Sequence, residues 1–538
     1  MTIAGLTDQS QTLDRKKLLL TLSCLTASLF VSFFDQTAVS TAIPSISKDL
    51  HHAFLINSWT STSYLIANTN FQLLYGRFSD IFGRKQIFVF SLVCLMVGDL
   101  GCGFAKNPTM LFIFRGLSGI GGGGVNCLVM ITFSDLLSPR QRGKYFGIVA
   151  AATSAGNGIG PFIGGLLSEH ASWRWAFWLS CPICLVCGLL LILFVPLKPV
   201  EGSFKKKIKL IDWFGFITSM IFSVLFLVAI SGGNESWPWK SATFISLIII
   251  SSIAFFCFIG VEQYYAEIPL IPLRLFTDLQ RFLLFLSCFS MGLAYFVDIY
   301  YLPLYLQNYR GWQPMIAGVI QLPATCTSSI FGVVVGQINS RTGRYVQCLW
   351  AGGALWALGS GLKLMYDSNT SIGYIVGTNI IQGCGIGFTF QPTLLALLAN
   401  SDSADRAVVT GLRNFFRCFG GSVGLVISGI AFNATLRSQL RSKVPLSVTE
   451  AVVSNPAVMQ DLNGDVRIHV FEAYLKSYKT VLFILIAFSG LTFLVSILTR
   501  DVVIPDTSKT EVRDDEDEET IVKDSKSDST IVVVEERK

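Results

Sequence analysis

Apolar residues gather into fourteen long runs separated by short polar stretches. They lie near Leu18–Ile43, Phe54–Tyr75, Ile87–Ala105, Met110–Phe133, Tyr145–Leu167, Ala176–Val195, Ile211–Ser231, Ala242–Val261, Phe282–Leu306, Met315–Ile338, Val346–Met365, Ile372–Leu398, Val408–Phe432 and Val481–Leu498. Runs of about 18–27 residues are long enough to cross a hydrocarbon core of about 30 Å. In hydrocarbon such a run must be a helix, because its backbone groups find no water to bond. The first run has no cleavage-like site and exceeds a signal-peptide core, so it is expected to stay as a span.

Composition supports the same reading. Of the 538 residues, 51% are hydrophobic and 14% charged, against about 25% charged in soluble domains. That deficit excludes an ordinary soluble protein. The net charge of +6 is unevenly spread: the stretch from Asp501 to Lys538 holds 13 acidic and 6 basic residues. The base in the body belongs to loops and carries no nucleic-acid footprint. The short loops place twenty Lys and Arg on one side, among them Arg84, Lys85, Arg142 and Lys205–Lys207, against five on the other. The positive-inside rule then puts both termini in the cytosol. The sequons at Asn234, Asn369 and Asn433 fall on the outer side, where glycosylation occurs.

The 13 cysteines lie in or at the ends of apolar runs, so no disulfide framework is expected. Cys181, Cys184 and Cys187 share a helix face without His or carboxylate nearby and read as packing residues, not a metal site. His51, His52, His170 and His469 are likewise unsupported as ligands. Gly121–Gly124 lies inside the fourth run without a Gly-Lys-Ser/Thr sequence, so no nucleotide loop is present. Neither ATP, another cofactor nor a metal is expected, and no nucleophile–base cluster suggests an enzyme.

An internal echo organises the chain. Gly76-Arg-Phe-Ser-Asp80-Ile-Phe-Gly83-Arg84-Lys85 follows the second run, and Gly336-Gln-Ile-Asn-Ser-Arg-Thr-Gly343-Arg344-Tyr follows the tenth, 260 residues later. Repeated tight turns imply two homologous six-span halves, as in transporters that rock around a midplane site. Six spans need only about 200 residues, so the surplus is a two-helix insertion reached through Glu201–Lys209. The expected fold is an all-α polytopic membrane protein with two six-helix halves plus a two-helix insertion. The divisions are 1–196 for the first half, 197–270 for linker and insertion, 271–500 for the second half, and 501–538 for a disordered acidic cytosolic tail.

Further motifs identify a family. The first span carries Asp35-Gln-Thr-Ala-Val-Ser-Thr-Ala-Ile-Pro44 and the fourth Arg115-Gly116-Leu-Ser-Gly119. The fifth carries Gly156-Asn-Gly-Ile-Gly160-Pro161-Phe-Ile-Gly164-Gly165. With Gly76–Lys85, Trp173-Arg-Trp175 and the stretch Gly411–Gly421, these resemble the major facilitator superfamily, specifically its fungal fourteen-span drug:proton antiporter branch. The resemblance implies that Asp80 holds a cytosolic gate with Arg84 or Arg142, and that Ser340 in the echo makes the gate asymmetric. It also implies that the Gly156–Gly165 motif favours export.

Intramembrane polar residues point to the chemistry. Asp35 and Arg115 sit at similar depth with opposite sign, and an ionised group in lipid must pair or face water. Protonation of Asp35 is expected to change the charge balance with Arg115 and a cationic substrate. Asp99 and Asp298 are further intramembrane acids; Asp298 lies beside Tyr295, Tyr300 and Tyr301. Arg417 and Asn414 are candidates for polar contacts across the second half. Gly156 and Gly160 share a face for close helix approach, and Pro161 frees a backbone bond. The expected function is proton-coupled export of cationic or amphipathic organic solutes such as drugs and toxins. Its partners are then protons, small organic molecules and the bilayer, with no nucleic acid. The alternatives are a vacuolar basic amino acid transporter and, more remotely, a transport-inactive nutrient receptor. The plasma membrane is the favoured address, with the vacuolar membrane as the other.

Overall fold

A computed structural model describes residues 14–502, apart from 51–52, 196–206, 208–210, 233–237, 239, 267, 403–404, 442, 455 and 463. Asn234, Lys205, Lys206 and the acidic tail beyond Val502 lie outside the described residues. Fourteen long helices correspond to the fourteen apolar runs. The first half holds α1 (Arg15–Leu50), α2 (Ala53–Phe82), α3 (Arg84–Gly103), α4 (Pro108–Leu136), α5 (Pro139–His170) and α6 (Trp175–Phe194). The insertion is α7 (Trp213–Gly232) and α8 (Ala242–Tyr264). The second half is α9 (Leu279–Leu304), α10 (Pro314–Thr342), α11 (Val346–Leu362), α12 (Ile372–Ala399), α13 (Arg406–Leu440) and α14 (Gly464–Leu498).

Twelve of these are long and apolar enough by themselves to cross a membrane. Of the other two, α11 has 17 residues and is continued by a 3-10 turn, Lys363–Met365. Helix α2 is interrupted by buried polar residues, including Asn68, Asn70 and Gln72, which lower its hydropathy without exposing it to lipid.

Local signals set the helix ends. Asn107 caps α4, its side chain accepting from the Met110 N–H, with Pro108 at the first helical position. Ser138 and Gln141 form a capping box on α5, and Ser241 and Ser371 cap α8 and α12. The repeated turn has a conformational cause. Gly83 and Gly343 both have positive φ, 101° and 68°, where a side chain is strained. Helices α13 and α14 outrun their apolar stretches, α14 beginning at Gly464 and not near Val481. The added turns bury Tyr474 and Tyr478, which stack with Tyr309 and Tyr305.

The halves repeat their packing. Gly119 and Gly123 of α4 bring the Tyr64 and Asn68 carbonyls of α2 close, and Gly383 and Gly387 of α12 do the same with Ala324 and Ser328 of α10. At the end bearing Arg15, Arg84 and Arg500, here the basic end, the halves meet along two seams. Gly76 of α2 faces the Ala407 carbonyl of α13, and Gly143 of α5 faces that of Gly336 on α10. The inserted pair covers the first seam: Phe216 packs on Phe71 and Phe78 of α2, while Phe222 and Phe226 pack on Phe419 of α13.

Candidate functional site: buried charges in the two halves

In the first half, α1, α3, α4 and α6 converge on a charged cluster. The Arg115 Nη1 donates to both oxygens of Asp35 at 3.0 Å, and its Nε donates to the Thr60 carbonyl at 3.3 Å. The guanidinium lies 4.3 Å over the Tyr64 ring. Asp35 is 0% and Arg115 1% exposed. Asp99, also fully buried, joins them: it accepts from Ser118 at 2.7 Å and from Ser180, and it is within electrostatic reach of Asp35 and Arg115. Arg115 is paired with Asp35, and Asp99 is held beside that pair by two hydroxyls and no cation of its own. Asp99 thus belongs with Asp35.

The glycine motif of α5 lies against the other face of α1. Side chains at Gly156 or Gly164 would run into the Phe30 and Ala38 carbonyls, so the two backbones touch. Thr37 and Thr41 of α1 donate to the Gly156 and Pro161 carbonyls at 3.3 and 2.9 Å. Gly160 packs onto Thr37 as well, whereas Gly165 stands 3.8 Å from Thr41 and is under no such constraint. At about 100° per residue, Asp35 and Thr37 point to opposite sides of α1. One helix thus links the charged cluster to the α5 motif.

The second half has a different inventory. Asp298 on α9 accepts from the Lys363 ammonium at 2.6 Å, and Lys363 is 0% exposed. Lys363 was missed in the sequence, although a lysine inside the run Val346–Met365 is the kind of costly residue that marks a site. On α13, Arg413 is the deeply buried arginine; it donates to Asn414 Oδ1 at 2.9 Å and to the Phe390 carbonyl at 2.8 Å. Arg417, one turn on, lies 5.6 Å over the Phe390 ring. Neither forms an ion pair among the described residues, and the Nε of each has no hydrogen-bond partner.

At the basic end the turn after α2 is a salt-bridge knot. Arg84 binds Asp80 at 2.7 Å and Asp135 of α4 at 2.8 Å, with Arg77 3.9 Å from Asp80. Asp135 was not anticipated. Arg142 turns onto the end of α4, donating to the Ser134 and Leu137 carbonyls at 2.6 and 3.2 Å, so Arg84 is the partner it was an alternative to. Lys85 caps the end of α6 through the Ile192 and Val195 carbonyls. In the echo, Arg344 is exposed and 3.8 Å from Asp501.

Asn369 is exposed in the turn after α11, where Asp367 accepts from its N–H and from Thr370. Those bonds hold the Asp367 carboxyl below the usual range. Asn433 lies inside α13. The thirteen cysteines are free, and no group of His, Cys, Asp or Glu suited to a metal occurs among the described residues.

Comparison with known proteins bears on this arrangement. The family model of the Major Facilitator Superfamily matches residues 25–425. Citrate exporter 1 of Yarrowia lipolytica is 38% identical over 497 residues, covering 92% of this chain and 74% of that protein. Efflux pump FUS6 of Gibberella fujikuroi is 30% identical over 500 residues, covering 90% of each. Among solved structures, the human organic anion transporter MFSD10 superposes with a TM-score of 0.58 at 14% identity, covering 90% of this chain and 99% of that one. At that identity the likeness concerns the fold.

Proposed function

The chain belongs to the major facilitator superfamily, and from that premise we propose that it exports small organic solutes in exchange for protons by alternating access. The observation that carries this is the first-half cluster, where Asp35 pairs with Arg115 and Asp99 lies within electrostatic reach of both on the Ser118 and Ser180 hydroxyls, all three charged groups being buried. One guanidinium neutralises one carboxylate, so the surplus is one proton's worth of charge in a place where unneutralised charge is costly. A proton taken up there on one side of the membrane and lost on the other couples the gradient to the conformational cycle.

Relatives named as exporters and efflux pumps support the outward direction, and a count of fourteen long helices among the described residues is consistent with the drug:proton antiporter branch. The Asp80–Arg84–Asp135 knot then serves as the cytosolic gate, with both termini in the cytosol and the plasma membrane as the address. The expected preference for cations draws little support from the charges, because Asp298 is neutralised by Lys363 and Asp35 by Arg115.

The test is flux in proteoliposomes with an imposed pH gradient, offering citrate and the cationic dye ethidium as probes. Wild type is expected to move at least one of them uphill with counterflow of protons. Asp35→Asn is expected to abolish uphill movement while leaving downhill exchange. Uphill movement unchanged in both Asp35→Asn and Asp99→Asn would remove the proton-coupling reading.

A further inference from the structure

We propose that the solute is an organic anion with two or more carboxylates, held in the second half by Arg413 and Arg417; this names the substrate class of the exporter proposed above and rests on that reading. Among the described residues most buried cations have an acid, and buried Arg142 has the carbonyls at the C-terminal end of α4, where the helix dipole favours a cation. Arg115 has Asp35, Lys363 has Asp298, and Arg84 has Asp80 and Asp135. Arg413, 2% exposed, has only neutral acceptors, the Asn414 side chain and the Phe390 carbonyl. Its nearest charged neighbour is Arg417, and the thiols of Cys288 and Cys418 complete its electrostatic surroundings.

Arg413 is buried and Arg417, one helical turn on, is half-buried; a buried guanidinium beside a second one with no carboxylate between them is costly. Tying α13 to α12 does not account for them, since a glutamine would make the same hydrogen bonds without the charge. An anion would account for them. Each guanidinium presents a planar fork matched to a carboxylate, and side chains four residues apart on a helix stand about 6 Å apart, the spacing of two carboxylates on a short carbon chain. Phe390, whose ring lies under Arg417 and whose carbonyl accepts from Arg413, supplies an apolar floor that Tyr295 and Trp356 border at ring distances of 5.2 and 5.8 Å.

The measurement is thermal unfolding of the purified full chain with citrate, acetate or ethidium, alongside proteoliposome flux. Citrate is expected to protect wild type and acetate to protect it far less. Losing one charged hydrogen-bond donor is worth about 1.5–3 kcal/mol, so Arg413→Gln or Arg417→Gln is expected to weaken citrate protection by about ten-fold or more. Arg417→Lys should retain part of it. Should Arg413→Gln fail to fold, Arg417→Gln and Arg417→Lys still decide. Equal citrate protection of wild type and Arg417→Gln overturns the proposal, and so does a wild type protected by ethidium and not by citrate. Citrate binding that depends on both arginines, without proton-driven flux, leaves this site standing and removes the proton-exchange reading.

Discussion

The two halves share a scaffold and differ in where they put charge. Arg115 stands four residues before Gly119 on α4, and Asn379 four residues before Gly383 on α12. Both reach a carbonyl on the neighbouring helix, Arg115 that of Thr60 and Asn379 that of Ile320 at 2.9 Å. The hydrogen bond is repeated while the cation is not. In the second half the cation that neutralises the acid comes from the end of α11, as Lys363, and two further cations appear on α13. The Asp35–Asp99–Arg115 cluster of the first half thus holds an excess of acid, and the Asp298, Lys363, Arg413 and Arg417 set of the second an excess of base. Backbone packing constrains helix against helix through small residues and tolerates either arrangement; buried charge is constrained only to find a local partner or a ligand. The difference between the halves is therefore the part of the molecule free to carry function.

The largest expected effect is from Arg115→Met, which leaves Asp35 without its guanidinium and with Asp99 nearby. Breaking a buried pair costs about 3–5 kcal/mol, so a large drop in thermal stability and complete loss of uphill flux are expected. In the second half the comparison can be broken by restoring neutrality. Lys363→Met alone should destabilise comparably, by about 3–5 kcal/mol, whereas Asp298→Asn with Lys363→Met should recover most of that stability, read by unfolding of single and double variants. Full recovery of transport as well would make the second-half pair structural.

A moderate effect is expected at the basic end. Asp80→Asn keeps size and removes one of the two acids on Arg84, so delivery to the membrane should be normal with transport reduced at least several-fold. Unchanged flux would reduce that loop to a turn. The smallest effect belongs to its echo: Arg344→Gln breaks a solvent-exposed contact worth about 1 kcal/mol or less, and flux should stay near wild type. A loss there equal to that at Asp80 would contradict an asymmetric gate.

Much of the fold was legible. Hydropathy located fourteen helices because a span must satisfy its own backbone and cover itself with apolar side chains, which is a property of consecutive residues. The turn motif was legible because Gly83 and Gly343 need backbone conformations that few residues adopt. The ends of α13 and α14 were not, because those turns are held by Leu436 and Leu440 on α13 and by Tyr474 and Tyr478 on α14, buried in the core against residues remote in sequence. At the site, Asp35, Arg115, Asp298 and Arg417 stood out as charges in apolar runs. Lys363, Arg413 and Asp135 were passed over, since each lies near the end of a run where headgroups or loops are the ordinary explanation.

By itself, then, the sequence determined where the long helices lie, where the chain turns and which residues are costly to bury, because these follow from neighbours along the chain. Only the tertiary structure decided which charges cancel. Asp35 meets Arg115 across 80 residues and Asp298 meets Lys363 across 65, while Arg413 and Arg417 meet no acid among the described residues. Pairing depends on distances of about 3 Å between separate helices, and helix packing alone sets those.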